Sequence, residues 1–148
     1  MTATAHAIVG GAFAASGVHP AIGIALSCIS HPLLDMVPHW DLGWGWREKS
    51  KVRLFTEATC DVLVGFAISY ALFGQGVNFW YFCACIIASI SWDLMEVPYW
   101  FLKWTFFPFG MIYKFQSGIQ GKAKTAAFGI GTQIATIAIT ITLSKLFS

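Results

Sequence analysis

The chain has 148 residues, of which 57% are hydrophobic, 16% aromatic and only 11% charged, and its mean hydropathy is +0.66. Soluble domains are typically about 45–50% apolar and about 25% charged, so this composition excludes that class and predicts an integral membrane protein. The net charge of +2 is too small to indicate a nucleic-acid partner. The length suits one transmembrane helical domain over residues 1–148.

Five apolar segments separated by polar connections predict an all-α bundle of about five spanning helices. A spanning helix needs about 20 apolar residues, and the segments cover residues 2–17, 21–37, 55–73, 79 to about 96, and 125–143. In the first segment, the pair Gly10 and Gly11 predicts that a neighbouring helix approaches closely. The aromatic stretch over residues 99–115 predicts a segment that lies at the membrane interface or half enters the membrane.

The basic residues predict the orientation of the bundle. They lie mainly in two connections, with Arg47, Lys49, Lys51 and Arg53 in the first and Lys103, Lys114, Lys122 and Lys124 in the second. Because cytoplasmic loops carry an excess of lysine and arginine, both connections and the N-terminus are predicted to be cytoplasmic.

Ionisable side chains concentrate at the cytoplasmic ends of these predicted helices. Five of the seven acids lie there, namely Asp35, Glu57, Asp61, Asp93 and Glu96, and His6 and His31 lie at the same depth. A charge at the bilayer centre costs roughly 2.5–3.5 kcal/mol, so such groups should face the bundle interior and be paired or metal-bound. No lysine or arginine lies within a predicted span to pair with them, and the pattern therefore favours a bound cation.

The spacing of these residues puts candidate ligands in pairs on single helix faces. His31 and Asp35 are four residues apart, as are Glu57 and Asp61, while Asp93 and Glu96 are three apart. Mixed imidazole and carboxylate ligation suits zinc, with manganese or iron as alternatives. The predicted ligands of this divalent metal are His6, His31, Asp35, Asp61 and Asp93. Glu96 is left open between a ligand and a solvated residue at a helix end.

Two motifs carry a family resemblance. Residues 4–10 form a THxxxG-like element, and residues 30–41 form the element SHxxLDxxPHxD. Together they resemble small bacterial membrane proteins that look related to the membrane-bound metal-dependent hydrolases, and more distantly, in motif style, to zinc-dependent phospholipase C. Looser support comes from Asp61, from residues 93–98 and from residues 129–133. No histidine follows His39, so the later histidine elements of those hydrolases have no counterpart here.

The resemblance and the ligand pattern together lead to a functional hypothesis. The chain is expected to be a multi-pass protein of the bacterial inner membrane and a metal-dependent hydrolase of a lipid or lipid-linked phosphoester or ester at the cytoplasmic leaflet. His39 or Glu57 would act as general base or acid, since each lies near the site and is not needed as a ligand. His39 could instead be an interfacial loop residue, and Glu57 could interact with the positive end of a helix dipole.

Two other functions stay open at this point. A small cation or proton transporter or channel would use the same intramembrane His/Asp cluster, and a purely structural cluster would lock the bundle. The expected partners are membrane lipids and a lipid-like substrate, and a homodimer is left open.

Overall fold

The computed structural model describes residues 1–147 and confirms the all-α prediction. Within these residues the chain forms seven α-helices and no strand. The helices are α1 (Ala3–Ala15), α2 (Pro20–Asp35), α3 (Lys51–Phe73), α4 (Phe79–Ser89), α5 (Ser91–Leu102), α6 (Phe109–Ile119) and α7 (Ala126–Phe147). The loop before α3 contains one short 3₁₀ turn, Trp46–Glu48.

Two helices are long and apolar enough to cross a membrane, or three if a bent pair counts as one span. The two are α3 and α7, and the bent pair is α4 with α5, whose axes differ by 53°. The sequence predicted about five spans, and the difference lies in the first two segments. At a rise of about 1.5 Å per residue, the 13 residues of α1 and the 16 residues of α2 reach only about 20 and 24 Å. A hydrocarbon core is about 30 Å thick, so neither helix is long enough for a clean crossing.

The predicted fourth span, residues 79 to about 96, is interrupted in the structure. Helix α4 ends at Ser89, and α5 starts at Ser91 and continues through Pro98 to Leu102. The break leaves the Ser89 carbonyl free of the helical ladder, and this carbonyl becomes part of the candidate site described below.

Helix α1 lies at the centre of the bundle and packs against α2, α3, α4 and α7. Most of its residues are buried, and they are largely alanine and glycine. A Cβ on Gly10 would lie 2.7 Å from Ser89 Oγ, and one on Gly65 of α3 would lie 2.7 Å from Thr4 Cα. The predicted close approach at Gly10 is therefore confirmed, and it brings the residues of α1 next to the break between α4 and α5.

Helix α6 packs against α5. The aromatic stretch over residues 99–115 forms the end of α5, a non-helical connection and the start of α6. Tyr99 and Tyr113 stack across this pair with ring centroids 3.8 Å apart. The packing carries Gln116, in the second half of α6, into the bundle interior, where it is buried.

Candidate metal centre

Three helices bring His6, His31 and Asp93 together in one group. Each offers a ligand atom, and these atoms all lie within 4.8 Å of one another. Both imidazoles are fully buried, and their rings stack with centroids 3.8 Å apart and planes 10° apart. Since α1, α2 and α5 each supply one residue, the group depends on the tertiary fold and could hold a metal ion.

The break between α4 and α5 sets the orientation of the His31 ring. His31 Nδ1 lies 2.6 Å from the Ser89 carbonyl oxygen, which can only accept, so Nδ1 is the protonated nitrogen. The other nitrogen, Nε2, lies 3.2 Å from Asp35 Oδ2 and 3.5 Å from Asp93 Oδ1. Nε2 therefore faces two carboxylates, whose charge either a second proton on the imidazole or a cation in the place of that proton would compensate.

Two buried polar atoms in this cluster make no hydrogen bond with the described residues. They are His6 Nδ1 and Gln116 Oε1. An unpartnered buried polar atom costs about 1–3 kcal/mol, so its presence in a native site needs an explanation such as a bound ion or water. Both atoms belong to residues that contact the cluster, because His6 Nε2 lies 3.1 Å from Asp35 Oδ1 and Gln116 Nε2 lies 3.1 Å from His31 Nε2. A bound metal ion or water would supply the partners that the described side chains do not provide for these two atoms.

Asp35 joins the members of this cluster. It is the last residue of α2, is only 5% exposed and lies within 3.2 Å of both imidazoles. Gln116 Nε2 donates a hydrogen bond of 3.3 Å to its Oδ2, and the Met1 amino group contacts its Oδ1. Asp35 is therefore placed either to bind a metal directly or to orient the imidazoles that do.

Asp61, also predicted as a ligand, is a residue of α3 whose side chain contacts the N-terminus of α1. Its carboxylate accepts hydrogen bonds from the Ala3 and Thr4 amides, at 2.7 and 3.2 Å, and from Thr4 Oγ1 at 2.7 Å. These are the bonds that satisfy the free amides of a first helical turn, and the negative charge also complements the helix dipole. The structure does not include Asp61 in the group of ligand atoms around His6 and His31.

Glu57 is held by two cations from the loop and the start of α3. Lys49 Nζ donates to Glu57 Oε2 at 2.6 Å, and Arg53 Nε donates to Oε1 at 2.7 Å. The predicted span over residues 55–73 contains no lysine or arginine, but Glu57 is paired by two cations that precede this span. Lys49 folds back from the loop, and Arg53 lies one helical turn before Glu57, so both reach a carboxylate near the helix start.

His39 is buried beside the cluster, and its Nε2 nitrogen faces polar side chains of the site. Its Nδ1 lies 2.7 Å from the Val37 carbonyl, so the proton is on Nδ1. Its Nε2 lies 3.3 Å from Asp41 Oδ2 and 3.8 Å from Asp35 Oδ1. Gln120 of α6 also lies 3.3 Å from Nε2 through its amide nitrogen. The lone pair on Nε2 is thus directed into the site.

A cavity of about 660 Å³ connects these residues to the surface. Of the seven predicted site residues, five line it, namely Asp35, His39, Glu57, Asp61 and Asp93. His6 and His31 are not among the residues that line the cavity, and their imidazoles contact the lining residues Asp35 and Asp93. The Asp93 side chain is 41% exposed, so the group of three ligands is open on the cavity side. An open position of this kind is what a catalytic metal site needs and a structural one lacks.

Two further residues in the cavity lie outside the set of predicted site residues. Gln116 follows Asp93 by 23 residues, in an aromatic segment for which no site residue was predicted. Glu96 is 6% exposed, lines the cavity and forms no side-chain hydrogen bond within residues 1–147. The sequence, in which Glu96 follows Asp93 by three residues, left its role open, and its burial in the cavity argues against a solvated residue at a helix end.

No protein-family model matches this chain, and neither a curated protein nor a solved structure matches it. The geometry of the site is therefore the basis of the function proposed below.

Proposed function

We propose that this protein is a membrane-embedded, metal-dependent hydrolase that acts on a lipid or lipid-linked phosphoester or ester. The observation that supports the proposal best is the group formed by His6, His31 and Asp93, which combines two buried imidazoles with a carboxylate that opens into a cavity. The proposal agrees with the resemblance of residues 30–41 to the membrane-bound metal-dependent hydrolases.

Zinc is the metal we propose, with manganese or iron as alternatives. Two histidines, one carboxylate and an open fourth position form a common ligand set of catalytic zinc. A metal at this position would lower the pKa of a bound water and polarise a phosphoryl or ester oxygen. The Ser89 carbonyl would orient the His31 imidazole through its Nδ1 proton, and Asp35 would either orient His6 through Nε2 or bind the metal itself.

His39 is the residue we propose as general base. Its Nε2 lone pair faces the site, and its Nδ1 proton is engaged by the Val37 carbonyl. When Nε2 takes a proton from water, the nearby Asp41 and Asp35 carboxylates stabilise the imidazolium. Glu57 is less suited to this role because Lys49 and Arg53 already occupy its two oxygens.

The cavity lining supports an amphiphilic substrate. Its wall contains Trp44, Trp46 and Trp100, and Arg47 and Lys122 supply positive charge. Aromatic and apolar surface would take the acyl or isoprenoid part of a lipid, and the cations would attract a phosphate. We propose that the site opens to the cytoplasmic leaflet of a bacterial inner membrane and that the N-terminus is cytoplasmic, because the basic connections cluster at this end.

The metal content of the purified protein tests the proposal. Wild-type protein should bind close to one equivalent of zinc, and His31→Ala and Asp35→Ala should lose most of it. His19→Asn is the matched control, since His19 is exposed and its side chain only caps α2. Wild-type protein that stays metal-free after incubation with zinc, manganese or iron would refute the proposal.

A second measurement separates hydrolysis from transport. Release of phosphate from a phosphatidic acid in mixed micelles should depend on the metal and on Asp93. In the transport alternative, protein in liposomes would instead take up the cation in an Asp93-dependent way without any ester turnover.

A further inference from the structure

We propose that a second cavity, at the junction of the loop before α3 with the end of α5, binds the phosphate of an anionic phospholipid headgroup. This cavity has a volume of about 270 Å³ and is lined by Trp46, Arg47, Lys49, Lys51, Leu54, Trp100 and Lys103. It shares one wall with the larger cavity but contains none of the proposed metal ligands, so the proposal does not depend on the hydrolase activity.

The charge of this second cavity selects an anion. Four of its seven lining residues are cationic, and none is acidic. Of the four, Lys49 is neutralised by Glu57. Lys51 and Lys103 have no carboxylate partner in the described part of the chain; Lys51 Nζ donates to the Phe101 carbonyl, at 2.9 Å, and keeps its other donors.

The backbone conformation at the end of α5 determines the position of Lys103. Lys103 caps α5 in the left-handed conformation, with φ of 60°, which a non-glycine residue rarely adopts. This conformation places its ammonium 4.9 Å from the centroid of the Trp46 ring, and the Arg47 guanidinium carbon lies 4.8 Å from the same centroid. Trp46 in turn stacks on Trp100 at 5.8 Å. An ordered pair of cations on a stacked indole pair is a more specific feature than a basic surface loop.

The surroundings of the cavity indicate a lipid as the source of the phosphate. Helix α3 begins at Lys51 and α5 ends at Leu102, so the cavity lies where two membrane-crossing candidates end. Next to it, Val52, Phe55 and Leu102 are 75%, 64% and 57% exposed. A soluble phosphate ester would leave this apolar surface in water, whereas the acyl chains of a phospholipid would cover it. The volume lies just below the about 300–1,000 Å³ of typical ligand pockets, which suits a headgroup whose chains stay outside.

Lipid binding to the full chain in a nonionic detergent tests the proposal, with native mass spectrometry as the readout. Wild-type protein should bind phosphatidylglycerol more tightly than phosphatidylcholine with the same acyl chains. Each cation near a lipid phosphate contributes about fivefold in affinity, so the double variant Lys51→Gln/Lys103→Gln should lose about 25-fold. Lys124→Gln/Lys145→Gln removes the same charge from exposed lysines outside the cavity and should leave the preference unchanged.

Three results would overturn the proposal. The first is a wild-type protein with no preference for the anionic lipid, and the second is an equal loss in both double variants, which would indicate diffuse surface charge. The third is displacement of the lipid by glycerol 3-phosphate at the concentration at which the lipid saturates, which would assign the cavity to a soluble phosphate ester. If the double variant fails to fold by circular dichroism, Lys103→Gln alone applies the same test, since Lys103 is exposed, and it should weaken binding about fivefold.

Discussion

Two pairs of carboxylates from the same end of the bundle have very different surroundings. Asp35 and Asp93 face imidazole nitrogens and the cavity, and neither is paired with a lysine or arginine within residues 1–147, although the Met1 amino group contacts Asp35. Asp61 and Glu57 of α3 are instead fully engaged, the first by amides of α1 and the second by Lys49 and Arg53. The comparison teaches that a position at one end of the bundle does not by itself make an acid a ligand. The partners that the fold supplies decide whether its charge is already compensated or left for a cation.

The largest effect, on the affinity for zinc, is expected from a change in the pair Asp35 and Asp93. Asp93→Asn keeps the size of the side chain but removes the charge that faces His31. Loss of a direct ligand should exceed the about 10–100-fold loss in metal affinity that outer contacts typically cause. Isothermal titration with zinc measures this affinity, and lipid phosphoester hydrolysis should fall with it. An affinity equal to that of wild type would remove Asp93 from the site.

The next effect is a lower kcat at unchanged zinc content, and it is expected from a change at His39. His39→Gln should keep the zinc content of the wild type, because His39 is separate from the group of three ligands. Removal of a general base typically lowers kcat by about 10²–10⁴-fold. Steady-state hydrolysis measured at full metal loading checks this expectation. A loss of zinc in this variant would instead make His39 a ligand.

A smaller effect, on stability alone, is expected from a change at Asp61, in the pair Asp61 and Glu57. Asp61→Ala leaves two amides and one hydroxyl at the start of α1 without their acceptor. The free energy of unfolding should fall by about 1–3 kcal/mol, since charge-assisted hydrogen bonds and helix caps contribute on that scale. Chemical denaturation in detergent measures the change. Zinc affinity of the folded variant should stay that of wild type, and a large loss of affinity would contradict the comparison.

The smallest effect is expected for Glu57→Gln. This side chain pairs with Lys49 of the loop and Arg53 of α3 at the surface of the helix, where ion pairs contribute little and are screened by salt. Zinc content and the rate of hydrolysis should both equal those of wild type. A fall in hydrolysis at unchanged zinc content would return Glu57 to the role of acid or base that the sequence left open.

The all-helical class, the membrane character and the polar residues of the site could be predicted from the sequence. The composition predicts the membrane character, and the apolar segments predict the all-helical class. The concentration of His31, Asp35 and Asp93 at helix ends indicated a possible metal group. Of the five predicted ligands, the group that could hold a metal contains three, namely His6, His31 and Asp93.

Other features could not be predicted because they depend on tertiary contacts. The break at Ile90 lies between Ser89 and Ser91, two residues that also occur within helices, yet it frees the carbonyl that orients His31. Asp61 differs from Asp93 only in what packs against it, since α1 brings its own N-terminus to Asp61. The short lengths of α1 and α2 likewise follow from the turns around Gly17 and Asp35, whereas hydropathy extended both segments further.

X-ray diffraction from crystals of the zinc-loaded protein, recorded at the zinc absorption edge, tests the central claim most directly. We predict one anomalous peak among His6, His31 and Asp93, with zinc about 2.0–2.2 Å from two imidazole nitrogens and one carboxylate oxygen. Zinc-soaked crystals that diffract well but show no peak at this position, or a peak bound only by other residues, would contradict it.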